Sequence, residues 1–254
     1  MPTNTRGARQ ALTSLAGLGL VLLAWELVYV TGWLGKNVPS IASVAAAFQD
    51  GSSRSALLSA ARVTGGEAVR GFAIGLACAV AAGAVAVVVP HLRRGFDQLG
   101  TFLNSVPLIA LGPVLLATVD RQTVPVAMAA VAVFFTIYVG TTTGLSRVAP
   151  APTDVFEAFG ARRWQRLMRL QVPSAIPVVV TALKVAMPIA IVGAIIGEWF
   201  GTQGGLGPVM LAAMGEFQIP TLWAAAVCAV GLSLLLYGAM ALVEALADRR
   251  FRPA

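Results

Sequence analysis

Side chains able to carry out covalent or metal chemistry are scarce in this sequence. It contains one histidine, His91, and two cysteines, Cys78 and Cys228, which both lie inside apolar runs. Two thiols and one imidazole are too few for a disulfide framework or a structural zinc site. The only Gly-Lys pair, which begins at Gly35, lacks the first glycine and the Ser or Thr of a phosphate-binding loop. The chain is therefore not expected to hydrolyse ATP or to hold a cofactor or metal of its own.

Four ionisable residues lie within or at the edge of long apolar runs: Glu26, Lys184, Glu198 and Glu244. A charge at the centre of a bilayer is costly, so each side chain must face protein, water or an interface. Lys184 is expected to extend towards the cytoplasmic surface, and Glu244 to lie at that surface. Glu198 precedes a glycine-rich segment, residues 201–207. It is a candidate gate residue, with an interfacial carboxylate as the alternative.

The composition places the elements that carry these residues in a membrane. Of 254 residues, 57% are hydrophobic and 11% are charged, whereas roughly a quarter of the residues in a soluble domain are charged. So few charges cannot cover a water-facing surface, which excludes a soluble globule, a disordered chain and a coiled coil. The net charge of +7 does not indicate nucleic-acid binding. The basic residues lie between apolar runs and form no basic face with aromatic residues for base stacking.

Six apolar stretches are long enough to cross a bilayer as helices, which takes about 20 residues each. The first does not have the length or the cleavage site of a signal peptide. Lysine and arginine favour the cytoplasmic side of a membrane protein; twelve flank the spans on one side and five on the other. Both termini are therefore predicted to be cytoplasmic. The predicted spans are residues 12–30, 71–89, 99–119, 124–144, 178–200 and 222–246.

Glycine and proline predict how these helices pack and bend. Small residues recur at every fourth position in the second and fifth spans, a spacing that lets two helix backbones approach closely. Prolines interrupt the third span at Pro107 and Pro113 and the fifth at Pro188. Bent helices beside a pathway and ordinary kinks both fit these prolines. The small residues are Gly71, Gly75, Ala79 and Gly83, then Gly193, Gly197 and Gly201.

Three segments outside the spans are long enough to hold structure. In the external segment 32–70, residues 42–49 are predicted to form a helix, and residues 51–53, Gly-Ser-Ser, a turn. Residues 201–220 form a second external segment, which opens with the glycine-rich loop. The third, residues 145–177, is cytoplasmic and is the most polar stretch of the chain.

The cytoplasmic segment is predicted to contain two short helices. Thr153 is a suitable N-cap for the first, and Gly160 can adopt the left-handed conformation that ends it. A second helix from Ala161 places Trp164 and further apolar residues on one face and is predicted to end at Pro173 and Pro177. Such a pair of helices suits a soluble partner, while an amphipathic segment lying on lipid headgroups is the alternative.

This segment resembles the EAA loop of ABC importer permeases. In that family the pattern is Glu-Ala-Ala, three residues, Gly, nine residues and Ile-x-Leu-Pro. Gly160 sets the register, and Leu170, Val172 and Pro173 match the end of the pattern conservatively. Asp154 stands where the family has Glu and is followed by Val-Phe in place of Ala-Ala. The literal Glu-Ala at residues 157–158 is out of register.

The resemblance extends over most of the chain. Within the family, the sequence is similar to the nitrate/sulfonate/taurine branch of these permeases. It implies an all-α polytopic protein with the six-helix type I importer fold, in the plasma (inner) membrane of a bacterium. Residues 1–254 would form one permease subunit, with a core at 58–247 and a coupling loop at 145–177. Coupling residues are Asp154, Phe156, Glu157, Phe159, Gly160, Ala161, Arg162, Arg163, Trp164, Leu170 and Pro173; Pro107, Pro113 and Glu198 are candidates for the pathway or gate.

The resemblance also implies the partners. Two permease subunits, expected to be identical, would form the pathway, two ATPase subunits would bind ATP and Mg²⁺ below it, and an external binding protein would deliver the solute. A sulfonate, nitrate or similar anion is favoured as solute, with a pyrimidine precursor of thiamine or an aromatic acid as alternatives.

The sequence argues against two functions other than that of an importer subunit. An intramembrane enzyme would need a Ser–His pair, paired aspartates or a zinc motif within a span, and none is present in the sequence. A stand-alone secondary transporter usually has inverted repeats and carboxylates at the membrane midplane. The two halves of this sequence show no such repeat.

Overall fold

The computed structural model describes residues 4–147 and 150–251, which form eleven α-helices. Residues 1–3 and 252–254, at the two termini that are predicted to be cytoplasmic, lie outside the described residues. Residues 148–149 of the predicted coupling loop do so as well. For this described part of the chain, the all-helical prediction is confirmed. The helices are α1 Asn4–Thr31, α2 Ile41–Gln49, α3 Gly51–Val88, α4 Pro90–Ser105, α5 Leu108–Leu116, α6 Val124–Ser146, α7 Pro150–Ala158, α8 Arg163–Arg166, α9 Val172–Glu198, α10 Leu206–Gly215 and α11 Ile219–Phe251.

Four long helices in the described part of the chain can cross a membrane by length and composition. They contain α3, α6, α9 and α11, and α4 with α5 makes a fifth if this bent pair is one span. These five coincide with the predicted second to sixth spans. The predicted first span lies in α1, whose apolar part among the described residues, Leu15–Thr31, is shorter than the other candidates.

The third predicted span is not one helix. Its two parts, α4 and α5, meet at an angle of 96°. Pro107 lies at this break, as the cap residue before α5. A proline there offers no backbone N–H and disfavours helical geometry in the residue before it. The proline was expected to interrupt the span, but the bend is sharper than an ordinary kink.

The predicted turn at residues 51–53 is wrong, because these residues begin α3. Asp50 caps this helix: its carboxylate accepts a 2.8 Å hydrogen bond from the Ser53 amide and another from the Ser52 hydroxyl. These bonds lower the pKa of Asp50 to about 2. A cap aspartate of this kind accepts hydrogen bonds from the free amides of the first turn. Its negative charge is stabilised by the positive end of the helix dipole. The helix predicted at residues 42–49 is confirmed as α2.

The fifth span begins earlier than predicted. α8 continues through a π-helical turn, Leu167–Gln171, into α9, so Pro173 and Pro177 do not separate the loop from the span. Pro173 lies in the first turn of α9, directly after the π-helical turn. Pro177 and Pro188 lie inside α9 without ending it.

Contacts between residues divide the described chain into two compact units. In the larger one, residues 59–208 with 228–251, α6 is the central helix. A Cβ added to Gly71 would lie 2.5 Å from the Val126 carbonyl oxygen, and one added to Gly197 would lie 2.5 Å from Pro125 Cα. The glycine faces of α3 and α9 therefore pack directly on the α6 backbone, as their spacing predicted. Gly201 is the exception, because it lies in the loop after α9 with φ of +99°.

The smaller unit, residues 4–58 with 209–227, is held by two tryptophans. The indole N–H of Trp25 donates to the Pro39 carbonyl oxygen at 2.8 Å, and that of Trp223 donates to the Asn37 carbonyl oxygen at 3.0 Å. Their ring centroids are 4.8 Å apart. The Glu26 carboxylate accepts from the Ile41 amide at 3.2 Å. Glu26 thus binds the start of α2 instead of remaining unpaired in an apolar run.

Candidate functional site

The segment between α6 and α9 is a compact loop built around Gly160. Gly160 has φ of +67°, the left-handed conformation predicted for it. Its amide donates to the Glu157 carbonyl oxygen, and the Ala161 amide donates to the Phe156 carbonyl oxygen, each at 2.9 Å. This pair of bonds is a Schellman motif, which satisfies the last carbonyls of α7. Thr153, the predicted cap, lies inside α7, because the helix begins at Pro150, a favoured first helical residue.

One side-chain bond caps the second short helix of this loop, and an ion pair joins it to the first. The Gln165 side-chain oxygen accepts a 2.8 Å hydrogen bond from the Arg162 amide at the start of α8. Arg166 on α8 forms an ion pair with Glu157 on α7. Leu167 is buried with Leu145 and packs at the membrane end of the loop. The loop is therefore attached to the end of α6 and continues into α9.

Large apolar side chains project from this braced loop. Phe159 is 87% exposed, Trp164 63% and Val155 54%. A hollow of about 270 Å³ lies between the two helices, lined by Val155, Phe156, Phe159, Ala161, Gln165 and Arg169. Exposed aromatic residues around a concave surface are typical of a protein-binding site.

A second site lies where α9 ends. Glu198 is the last residue of α9 and is only 1% exposed. One carboxylate oxygen accepts from the Thr64 hydroxyl and the other from the Gly207 amide, each at 2.6 Å. The Leu206 amide donates to the Thr64 hydroxyl oxygen at 2.9 Å. Gly205 has φ of +105°, and a Cβ there would overlap the Glu198 carboxylate. The glycine-rich loop thus wraps closely around this carboxylate.

The family follows from the match of residues 71–252 to the family described as "Binding-protein-dependent transport system inner membrane component". This stretch contains the loop, Glu198 with the glycine-rich loop, and most of α3 with every span that follows it. The chain belongs to this family of ABC permeases.

Curated relatives of the permease are transport proteins. A probable ABC transporter permease protein of Haemophilus influenzae is 26% identical over 53% of this chain and 55% of the relative. The formylaminopyrimidine transport permease protein ThiX of Halalkalibacterium halodurans is 30% identical over 53% of this chain and 54% of the relative. The chain spans about half the length of these two relatives. The riboflavin transport system permease protein RibX of Chloroflexus aurantiacus is 26% identical over 91% of this chain and 87% of its own.

Solved structures show that the permease has the fold of a known importer. The MetNI methionine ABC transporter in inward-facing conformations, native crystal form, matches with a TM-score of 0.66 at 16% identity, over 78% of this chain and 99% of the matched one. A second MetNI crystal form, from a selenomethionine soak, matches with a TM-score of 0.61 at 19% identity, over 76% and 94%.

The predicted site residues of the permease lie at the base of the loop, at its tip, on the bent third element and at the end of α9. Leu170 and Pro173 are half-buried at the base of the loop, unlike the exposed residues near its tip. Pro107 and Pro113 are exposed on the bent third element, whereas Glu198 is buried. Exposed at the tip are Asp154, Glu157, Phe159, Gly160, Arg162, Arg163 and Trp164, while Phe156 and Ala161 are half-buried.

Sequence reasoning missed the two residues of α3 that complete the Glu198 site, Thr64 and Glu67. Both are buried, with 0% and 6% of their surface exposed. Their spacing of three places them on one helix face, and this spacing of polar residues was a usable signal. The predicted second span began at residue 71, so both were assigned to an external segment instead.

Proposed function

We propose that this permease is the membrane-spanning subunit of an ATP-driven importer of a small solute, and that the loop between α6 and α9 binds an ATPase subunit. The observation that carries the proposal is the braced loop with exposed Phe159 and Trp164, which continues into a long helix at its base. A lipid-facing amphipathic segment would not require the ion pair between Arg166 and Glu157 or the left-handed Gly160.

The connection from α8 to α9 provides the coupling mechanism. Residues 163–198 form one continuous helical segment through the π-helical turn, so movement of the loop is passed directly to the fifth span. α9 packs tightly on α6 through Gly193 and Gly197, and the two helices are expected to move together. An ATPase that contacts the loop differently in its ATP-bound and free states would then shift the conformation of the span.

The proposed assembly contains two copies of this chain, two ATPase subunits that bind ATP and Mg²⁺, and an external binding protein. Each copy would cross a bacterial plasma membrane six times with both termini in the cytoplasm. A groove of about 430 Å³ runs between α6 and α9 and includes Thr136, Gly140, Thr143 and Thr181 in its lining. We propose that this groove faces the pathway and that the second copy supplies the opposite wall. Pro107, Pro113 and Glu198 remain candidates for the pathway or gate.

For the solute, we propose a small nitrogen heteroaromatic compound. The support is the names of two relatives, one for formylaminopyrimidine and one for riboflavin, which agree with the alternative that the sequence left open. The sulfonate or nitrate anion stays a prediction. Uptake of a labelled pyrimidine by cells with and without the gene, in competition with riboflavin, taurine and nitrate, separates these classes.

The ATPase-binding role can be tested with two phenylalanines of equal exposure. Phe159 in the loop is 87% exposed, and Phe217, which lies between α10 and α11, is 85% exposed. The tagged chain is purified from its native host in mild detergent, and its partners are identified by mass spectrometry and ATPase activity. Wild type and Phe217→Ala should retain an ATPase, and Phe159→Ala should lose most of it. Wild type without any ATPase would favour a stand-alone transporter.

A further inference from the structure

Two carboxyl groups meet in the interior of this protein without a basic partner. Glu67 on α3 is 6% exposed and Glu198 at the end of α9 is 1% exposed. Glu67 lies one turn after Thr64, whose hydroxyl donates to the Glu198 carboxylate, and the two carboxyl groups are close enough to interact. Among the described residues, ion pairs join Arg93 to Asp97, Arg166 to Glu157 and Lys184 to Glu244, and none includes either carboxyl.

The two carboxyl groups differ in how far their oxygen atoms are satisfied by hydrogen bonds. Each Glu198 oxygen already accepts a hydrogen bond, from the Thr64 hydroxyl and from the Gly207 amide. In contrast, Oε2 of Glu67 is buried and has no hydrogen-bond partner. An isolated buried carboxylate oxygen is costly, and two adjacent carboxylates cannot both ionise readily. One proton on Glu67 removes the repulsion between two charges, and its O–H can donate to Glu198.

The elements around the two carboxyl groups supply no basic residue that forms an ion pair with either of them. The glycine-rich loop, α10 and the last three turns of α9 contain no ionisable residue except Glu198 itself. Arg70 on α3 attracts Glu67, but it is exposed and donates to the Gly66 carbonyl oxygen at 3.0 Å. Arg121 lies beside Gly201, on the other part of the loop.

We propose that Glu67 and Glu198 form a proton-binding site. Glu67 holds the proton, and its O–H donates a hydrogen bond to the Glu198 carboxylate. The bound proton joins α3, the end of α9 and the glycine-rich loop. Carboxyl groups in water are ionised at neutral pH, so withdrawal of the loop and entry of water would release the proton. The site is contained within one chain and does not depend on an ATPase partner.

Infrared spectroscopy and thermal unfolding of the purified full-length chain test this site together. Wild type at neutral pH in D₂O should show the C=O stretching band of a protonated carboxyl, and Glu67→Gln should lack it. Glu67→Gln should melt close to wild type, because its amide also donates to Glu198. Glu67→Ala and Glu198→Gln should each melt several degrees lower. Glu198→Gln replaces one acceptor oxygen with an NH₂ donor, which would face the Thr64 hydroxyl or the Gly207 amide. Glu216→Gln, at an exposed carboxylate, should change neither measurement.

Two results would overturn the proposal. The first is a carboxyl band that persists in Glu67→Gln, or a melting temperature for this variant as low as that of Glu67→Ala. The second is stabilisation of wild type by sodium chloride over choline chloride that is absent in Glu67→Gln. A metal ion, not a proton, would then lie between the carboxylates.

Discussion

Lys184 on α9 and Glu244 on α11 form an ion pair whose side chains are only 19% and 17% exposed. The Thr181 hydroxyl also donates to the Glu244 carboxylate, at 2.7 Å, and the Lys184 ammonium lies 5.6 Å from the centre of the Tyr237 ring. Each charge is therefore neutralised within the bundle. The sequence had suggested separate positions at the cytoplasmic surface for these two residues, and the structure instead joins the fifth and sixth spans through them.

Removal of one partner from this pair is expected to be worse than removal of both. Lys184→Met or Glu244→Gln leaves the other group without its partner in a largely buried place, which is costly. Each single variant should melt several degrees below wild type in detergent, and the double variant should recover part of the loss. Arg93→Gln is the control, since the Arg93–Asp97 pair is about half exposed and should contribute little. Additive losses in the double variant would show that the two residues act independently.

Gly160→Val should weaken binding of the ATPase to the loop without removing any side-chain contact of the loop. No atom lies within 4 Å of a Cβ at Gly160, so the effect comes from the left-handed backbone, which costs a side-chain-bearing residue roughly 1–2 kcal/mol. ATPase capture and solute-stimulated ATP hydrolysis should fall, while the chain still inserts and purifies. Gly32→Val is a matched control, because Gly32 has φ of +62° and equally open surroundings. Equal loss of capture in both variants would contradict a specific role for Gly160.

Gly197→Ala should destabilise the bundle by overpacking the contact between α9 and α6. The added methyl group would meet Pro125 Cα and the Pro125 nitrogen, and backbone atoms cannot move aside as a flexible side chain can. Overpacking of this kind costs typically 1–3 kcal/mol, which is measurable as a lower melting temperature. Gly95→Ala, at a helical glycine with no atom within 4 Å, should leave the stability equal or slightly higher. A Gly197→Ala protein as stable as wild type would mean that the helices can separate at no cost.

Trp223→Phe should loosen the segment between α1 and α2. The substitution removes the 3.0 Å hydrogen bond to the Asn37 carbonyl oxygen and the indole contact with Trp25, and a typical hydrogen bond contributes about 0.5–1.5 kcal/mol. Limited proteolysis should therefore cut near residues 32–40 faster than in wild type. Trp33→Phe serves as the control, because Trp33 is 82% exposed. Equal cleavage rates in all three proteins would show that the tryptophan pair does not restrain this segment.

Much of the organisation of this permease is local in sequence and was predictable. Twenty consecutive apolar residues specify a membrane helix wherever the rest of the chain lies, so the second to sixth predicted spans coincide with apolar helical elements. Gly160 could be assigned because a left-handed cap depends on only a few neighbouring residues. The small residues of α3 and α9 predicted close packing for the same reason, although not which helix they meet.

Only the tertiary structure decided which distant residues meet. Thr64 and Glu198 are separated by 134 positions and Lys184 and Glu244 by 60, and no local pattern pairs them. The start of α3 at Gly51 and the continuation of α9 through Pro177 depend likewise on a cap and on packing against neighbours. Hydropathy is a property of each residue alone, whereas the partner of a buried charge depends on how the helices pack. The energetic cost of burying a charge is removed only by the group that actually lies beside it.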